Sequence, residues 1–188
     1  MLKRLGLGAA LVALLWSCEG ALFNIRVSDT AETTIRAGTV FEGLLQDFGF
    51  GEFVELDITS ASELQNQGVG PGDIVRVTFQ SFDLEVISPE DGDLSFLDRL
   101  EFYVEAPELP RELVARADAF PDGQARVSME LIDIDLTDYV VSESMTISTE
   151  ARGSRPRRDT TVEASFALRV GVTGQGACNH ISGGRDSD

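Results

Sequence analysis

Six apolar residues, Val162, Ala164, Phe166, Leu168, Val170 and Val172, occupy every second position of one unbroken run. Between them stand Thr161, Glu163, Ser165, Ala167, Arg169 and Gly171. A helix would scatter the six around its circumference, whereas a strand lines them along one face. The same period of two recurs along the chain. Phe23, Ile25 and Val27 alternate with Asn24, Arg26 and Ser28. Val75, Val77 and Phe79 repeat it, and Phe82, Leu84 and Val86 continue it out of phase. A phase change of one residue inside an extended run predicts a bulge or bend near Gln80 and Ser81. Leu100, Phe102 and Val104 form a further strand, ended by Pro107 and Pro110. Val127, Met129 and Leu131 follow the turn residues Phe120, Pro121, Asp122 and Gly123, and Met145 with Ile147 begin another strand.

Weaker strands are expected over residues 33–41, 50–58 and 111–117. The last is alternatively a short helix with Pro110 at its first turn. A helical turn is expected at residues 95–100, where Ser95 and Asp98 have capping-box spacing. Eight or nine short strands between turn signals predict an all-β fold, specifically an antiparallel β-sandwich. A closed β-barrel is the alternative, because it uses the same alternation. The glycine-rich stretch Gly68 to Asp73 lacks the lysine of a phosphate-binding loop and leads into a strand, so it reads as a turn.

The chain begins with Lys3 and Arg4, then an apolar run from Leu5 to Leu15 that is shorter than the roughly 20 residues needed to span a bilayer. The length suits the hydrophobic region of a cleaved signal helix. Leu15, Trp16, Ser17 and Cys18 follow, and this tetrad resembles the lipobox of bacterial lipoproteins. An aliphatic residue stands three before the cysteine and a small one just before it, while Trp16 departs from the family's usual small or aliphatic residue. The resemblance implies cleavage before Cys18 and acylation of that cysteine, with two or three chains giving stable anchoring to a membrane. Glu19 stands where an aspartate implies inner-membrane retention in Gram-negative lipoproteins, so the resemblance leans toward the outer membrane. A signal cut near Gly20 or Ala21, or an uncleaved anchor, are the alternatives.

The expected organisation is therefore a signal peptide over 1–17, a lipidated N-terminus and tether over 18–22, a β-sandwich domain over 23–174 and a flexible tail over 175–188. About five residues at 3.3–3.6 Å each give a tether of roughly 17 Å, so the domain sits close to its membrane. Cys178 is the only other cysteine, left unpaired if Cys18 carries lipid, and a bridge between the two is open to it only where Cys18 is neither lipidated nor removed.

Composition narrows the chemistry. The formal net charge is -17, and losing residues 1–17 removes Lys3 and Arg4 but no acid, leaving about -19. A surface so acidic repels phosphate backbones, which argues against nucleic acid as a partner. Lys3 is the only lysine and His180 the only histidine, so a mature chain has no Schiff-base lysine and no histidine pair for zinc. Cys178, Asn179 and His180 stand in a glycine-rich tail without the rigid support catalysis needs. No catalytic constellation emerges, and no cofactor is implied.

Two clusters remain. Glu90, Asp91, Gly92 and Asp93 follow Pro89, and Asp133, Asp135 and Asp138 lie near a strand exit. Asp91, Asp93, Asp133 and Asp135 are weak calcium candidates, with Asp133 and Asp135 sharing a face if the segment is a strand, but neither cluster has EF-hand spacing. The bland alternative is a solvated turn and acidic strand edges. Arg152, Arg155, Arg157 and Arg158, with Gly153 and Pro156 among them, read as a hairpin loop. It is the one basic cluster on an acidic surface and the first choice for a contact patch, toward headgroup phosphates or an acidic partner. The expectation is a lipid-anchored, non-enzymatic binding or structural module with an envelope protein partner. A calcium-stabilised adhesion or matrix domain, and a hydrolase with an unidentified carboxylate pair, are the other readings.

Overall fold

The structure is a computed structural model that describes residues 23–38, 58–142 and 144–173. The signal segment, Cys18, most of the strand expected over 50–58 and the group Cys178, Asn179 and His180 lie outside the described residues. The elements run β1 (Phe23–Ile35), α1 (Ser62–Gln65), β2 (Ile74–Ser88), β3 (Leu97–Glu105), β4 (Glu112–Ala117), β5 (Arg126–Ser128), β6 (Glu130–Leu131), α2 (Thr137–Val140), β7 (Thr146–Gly153) and β8 (Thr160–Val172). They form two antiparallel four-stranded sheets, ordered β1-β8-β2-β5 and β6-β4-β3-β7. The architecture is an all-β sandwich, and the closed-barrel alternative is set aside.

The alternation in β8 does what its period requires: Val162 through Val172 at even positions are all buried. In β2 the register shifts between Phe79 and Ser81. That bulge at Gln80 cancels the phase change, so Val77 and Phe79 face the same interior as Phe82, Leu84 and Val86. A second shift between Ile74 and Arg76 gives the inward place to Ile74 rather than Val75. Phe82 and Phe102 meet across the two sheets with centroids 4.3 Å apart, and Phe166 packs beside Phe82 at 6.0 Å. Aromatic pairs at such separations add to simple area burial.

One side of the sandwich is stitched by a single segment that changes sheets. Met129 donates its N–H to the Phe82 carbonyl at 2.8 Å, and two residues later Leu131 pairs with Ala115 of the other sheet. On the opposite side β1 and β7 are the edges among the described strands. In the inward row of β1, Asp29 interrupts the buried residues and stays exposed. A charge at an inward position of an edge strand disfavours pairing with another chain.

Several local expectations need correction. Residues 112–117 are strand, not helix. β3 begins at Leu97, and Ser95 is paired with Asp93, not Asp98. The strand expected over 33–41 is the end of β1 and stops at Ile35. Residues 132–136 are not strand at all: the Asp135 carboxylate accepts the Thr137 N–H at 3.0 Å and the Thr137 hydroxyl at 2.5 Å, and Val77 N–H bonds to Thr137 Oγ1 at 3.1 Å. These side chains take backbone donors a ladder would have used, and the segment turns into α2 instead.

Candidate functional site

The segment from Ser154 to Asp159 leaves β7 in one sheet and enters β8 in the other. It is not a hairpin loop, as its sequence suggested, but a crossover over one end of the sandwich. Gly153 makes the exit possible. Its φ is 152°, and a Cβ there would stand 2.3 Å from the Phe96 carbonyl oxygen. The crossover is then tied down at several points. Ser154 N–H donates to Phe96 O at 2.7 Å, and the Thr160 hydroxyl donates to Arg158 O at 2.9 Å. The Asp159 carboxylate accepts the Ala37 N–H at 2.7 Å, and Pro156 is buried. Gly38 lies so near Arg155 that a Cβ there would meet its Cδ at 2.7 Å.

Facing this crossover is the loop after β2. Gly92 N–H donates to Pro89 O at 2.8 Å. Asp93 organises the rest: its Oδ1 accepts the Ser95 hydroxyl at 2.6 Å and the Ser95 N–H at 3.1 Å, and its Oδ2 accepts the Gly123 N–H at 2.8 Å. The Ser95 hydroxyl first, then the two amides, hold the Asp93 carboxyl below the usual carboxylate range. Asp91 reaches across to Arg158, Oδ1 to Nη2 at 2.9 Å, and that hydrogen bond holds its carboxyl low as well.

The two loops enclose an open cleft of about 590 Å³. Arg155, Arg157 and Arg158 line it together with Asp91, Asp93 and Asp122. Two clusters that the sequence presents more than sixty positions apart thus become one mixed-charge surface. Asp122, from the turn before β5, is a member that its position in a solvated turn did not suggest. The cleft carries charges of both signs side by side, with Asp91 and Arg158 bonded to each other and Asp93 to its own loop and Gly123.

The structure does not bring the other candidates here. Arg152 lies on the exposed side of β7, directly across from Arg99 of β3. Asp133 and Asp135 belong beside α2 and the start of β2. Among the described residues no group of three or more acidic, cysteine or histidine side chains is arranged to hold a metal ion. Asp91 is engaged by a cation and Asp93 by three donors.

A second concentration of arginine is not visible along the chain. Arg26 of β1 and Arg169 of β8 are direct cross-strand partners on the outer face of their sheet. Arg76 of β2 shares a recess of about 320 Å³ with Arg169, Asn24, Thr78 and Asp133. Only strand register could have joined these residues. No match to this chain is found among protein-family models, curated proteins or solved structures.

Proposed function

We propose that this chain is a lipid-anchored protein of the bacterial envelope, acting as a non-enzymatic binding module whose outer end contacts a protein partner. The observation that carries the reading is the lipobox-like tetrad Leu15, Trp16, Ser17 and Cys18, followed so soon by β1 at Phe23. The direction of β1 supports the second half of the proposal. Phe23 pairs with Val172 at one end of the sheet and Ile35 with Thr160 at the other. Thirteen residues of strand span about 40 Å. The cleft between the acidic loop and the crossover therefore stands far from the attachment point, well beyond the ~8 Å over which membrane charge is felt at physiological salt. Its mixed charge and tied backbone suit a folded protein surface better than a headgroup.

Two measurements test this. The intact mass of protein extracted from membranes should show Cys18 at the N-terminus carrying acyl chains, while a Cys18→Ser variant stays unprocessed. An unacylated chain beginning after Cys18 removes the anchor. Separately, Arg155→Ser, Arg157→Ser and Arg158→Ser combined should abolish co-purification of a partner cross-linked in intact cells, and unchanged recovery would remove the cleft from the interface.

A further inference from the structure

Along the outer face of the β1-β8-β2-β5 sheet the charge is not evenly spread. Arg26, Arg169 and Arg76 gather at the end where β1 starts and β8 stops. Toward the other end, Glu32, Glu163 and Glu85 occupy one cross-strand row. Like charges placed directly opposite one another oppose sheet formation. Among the described residues, none of the three arginines has a carboxylate oxygen within ion-pair distance. Arg169 instead turns to the Gln80 carboxamide oxygen, 2.8 Å from its Nε when that amide is set to accept. Asp133 stands in the same recess, and Asp135, whose carboxyl feels Arg76, is turned to Val77 and Thr137. The recess keeps a positive excess on a chain whose formal net charge is -17.

Position gives the partner. Arg26 is three residues into β1, about 10 Å from Phe23 along the strand. Register holds Arg169 beside it, and Arg76 pairs with Gly171 of the same end. We propose that Arg26, Arg76 and Arg169 rest against the phosphates of anionic lipid headgroups beside the anchor, and so fix the tilt of the domain on its membrane. This rests on the lipid-anchor reading above. The acyl chains supply the attachment; the arginines decide which face turns down. Without them a domain of this charge would be pushed away from an anionic leaflet as far as its tether allows. The glutamate row, farther along the same face, keeps the sheet from lying flat.

The test uses the full membrane-extracted protein, its acylation first established by intact mass, reconstituted into two kinds of vesicle. One is phosphatidylcholine alone, the other phosphatidylcholine with phosphatidylglycerol. Phenylglyoxal modification of individual arginines is followed by peptide mass spectrometry. Modification of Arg26, Arg76 and Arg169 should slow about fivefold on the anionic vesicles, the size expected for a basic side chain held at such a surface. Arg155 and Arg157 should react alike on both. Equal rates at Arg26, Arg76 and Arg169 in an acylated protein would refute the orientation while leaving the anchor standing, and so would protection of Arg155 and Arg157 in their place. A chain without acyl groups ends both readings at the first step.

Discussion

The two outer faces of the sandwich carry the same kind of residue and use it in opposite ways. On the β6-β4-β3-β7 sheet every described arginine of the strands β3 and β4 has a carboxylate. Arg99 reaches Glu101 at 2.5 Å and Asp118 at 3.2 Å, and Arg116 forms a two-pronged pair with Glu130 at 2.9 and 3.1 Å. Arg111, just before β4, bonds Glu105 at 3.0 Å and Glu150 at 2.7 Å, with its guanidinium 3.5 Å from the Tyr103 ring centre. On the other sheet Arg126 meets Glu85 at 3.6 Å, but at the far end Arg26 and Arg169 face each other. On the first face the arginines of β3 and β4 are held by carboxylates of the same sheet, while Arg152 of β7 stands across from Arg99 without adding to those pairs. The second holds unspent charge, and the contrast teaches that arginine content alone does not mark a contact surface; its pairing does.

The comparison can be broken first at its shared foundation. Phe82→Ala removes the ring that both sheets pack against, and should cost about 3–5 kcal/mol in chemical denaturation, loosening both faces alike. Gly153→Ala tests the crossover rather than either face: a Cβ against the Phe96 carbonyl should cost about 1–3 kcal/mol. In that variant the cross-peaks of Phe96 and Arg155 should shift in an NMR spectrum. The faces separate at the next level. Arg111→Ala should destabilise by about 1 kcal/mol, an effect that shrinks in high salt. Arg26→Thr should do the reverse, stabilising by a few tenths of a kcal/mol at low salt in detergent, because it relieves a like-charge pair. Shifts of the two denaturation midpoints in the same direction would erase the difference between the faces.

Asp135 supplies the smallest test. Burial pushes its carboxyl up, but hydrogen bonds from the Thr137 hydroxyl and amide and from the Val77 amide, with Arg76 near, hold it below the usual range. A folded-state value below the unfolded one gives stability that is complete above about pH 4 and fades as pH falls through the lower value. Asp135→Asn should therefore cost about half a kcal/mol at neutral pH, allowing for solvent screening, and flatten the loss of stability below about pH 4.

Much of the fold is legible because burial writes itself into a period of two. The run from Val162 to Val172 and the bulge at Gln80 are both consequences of one face needing to be apolar. Alternation tells which way a side chain faces but not which strand lies beside it. For that reason the crossover from β7 to β8 reads as a hairpin in sequence and is a change of sheet in the fold. The run Ile132, Asp133, Ile134, Asp135 alternates as well as any strand. It fails because Asp135 and Thr137 take up the local backbone donors, which pattern does not register. The same blindness to pairing hides both sites. Asp91 and Arg158 are conspicuous separately, and Arg26 and Arg169 are unremarked polar positions until register sets them together.

The order in which the chain is made gives the β1–β8 pairing a further consequence. Among the described strands β1 is synthesised first and β8 last, and β8 is the one that pairs with β1. Ala37 and Asp159, hydrogen-bonded partners at one end of that pairing, lie 122 positions apart. At a synthesis rate of about 10 residues per second, β1 waits roughly 10 s for its neighbour. The β1-β8-β2-β5 sheet therefore cannot be completed while its C-terminal strand is still being delivered, and β1 gains its neighbour only when β8 arrives.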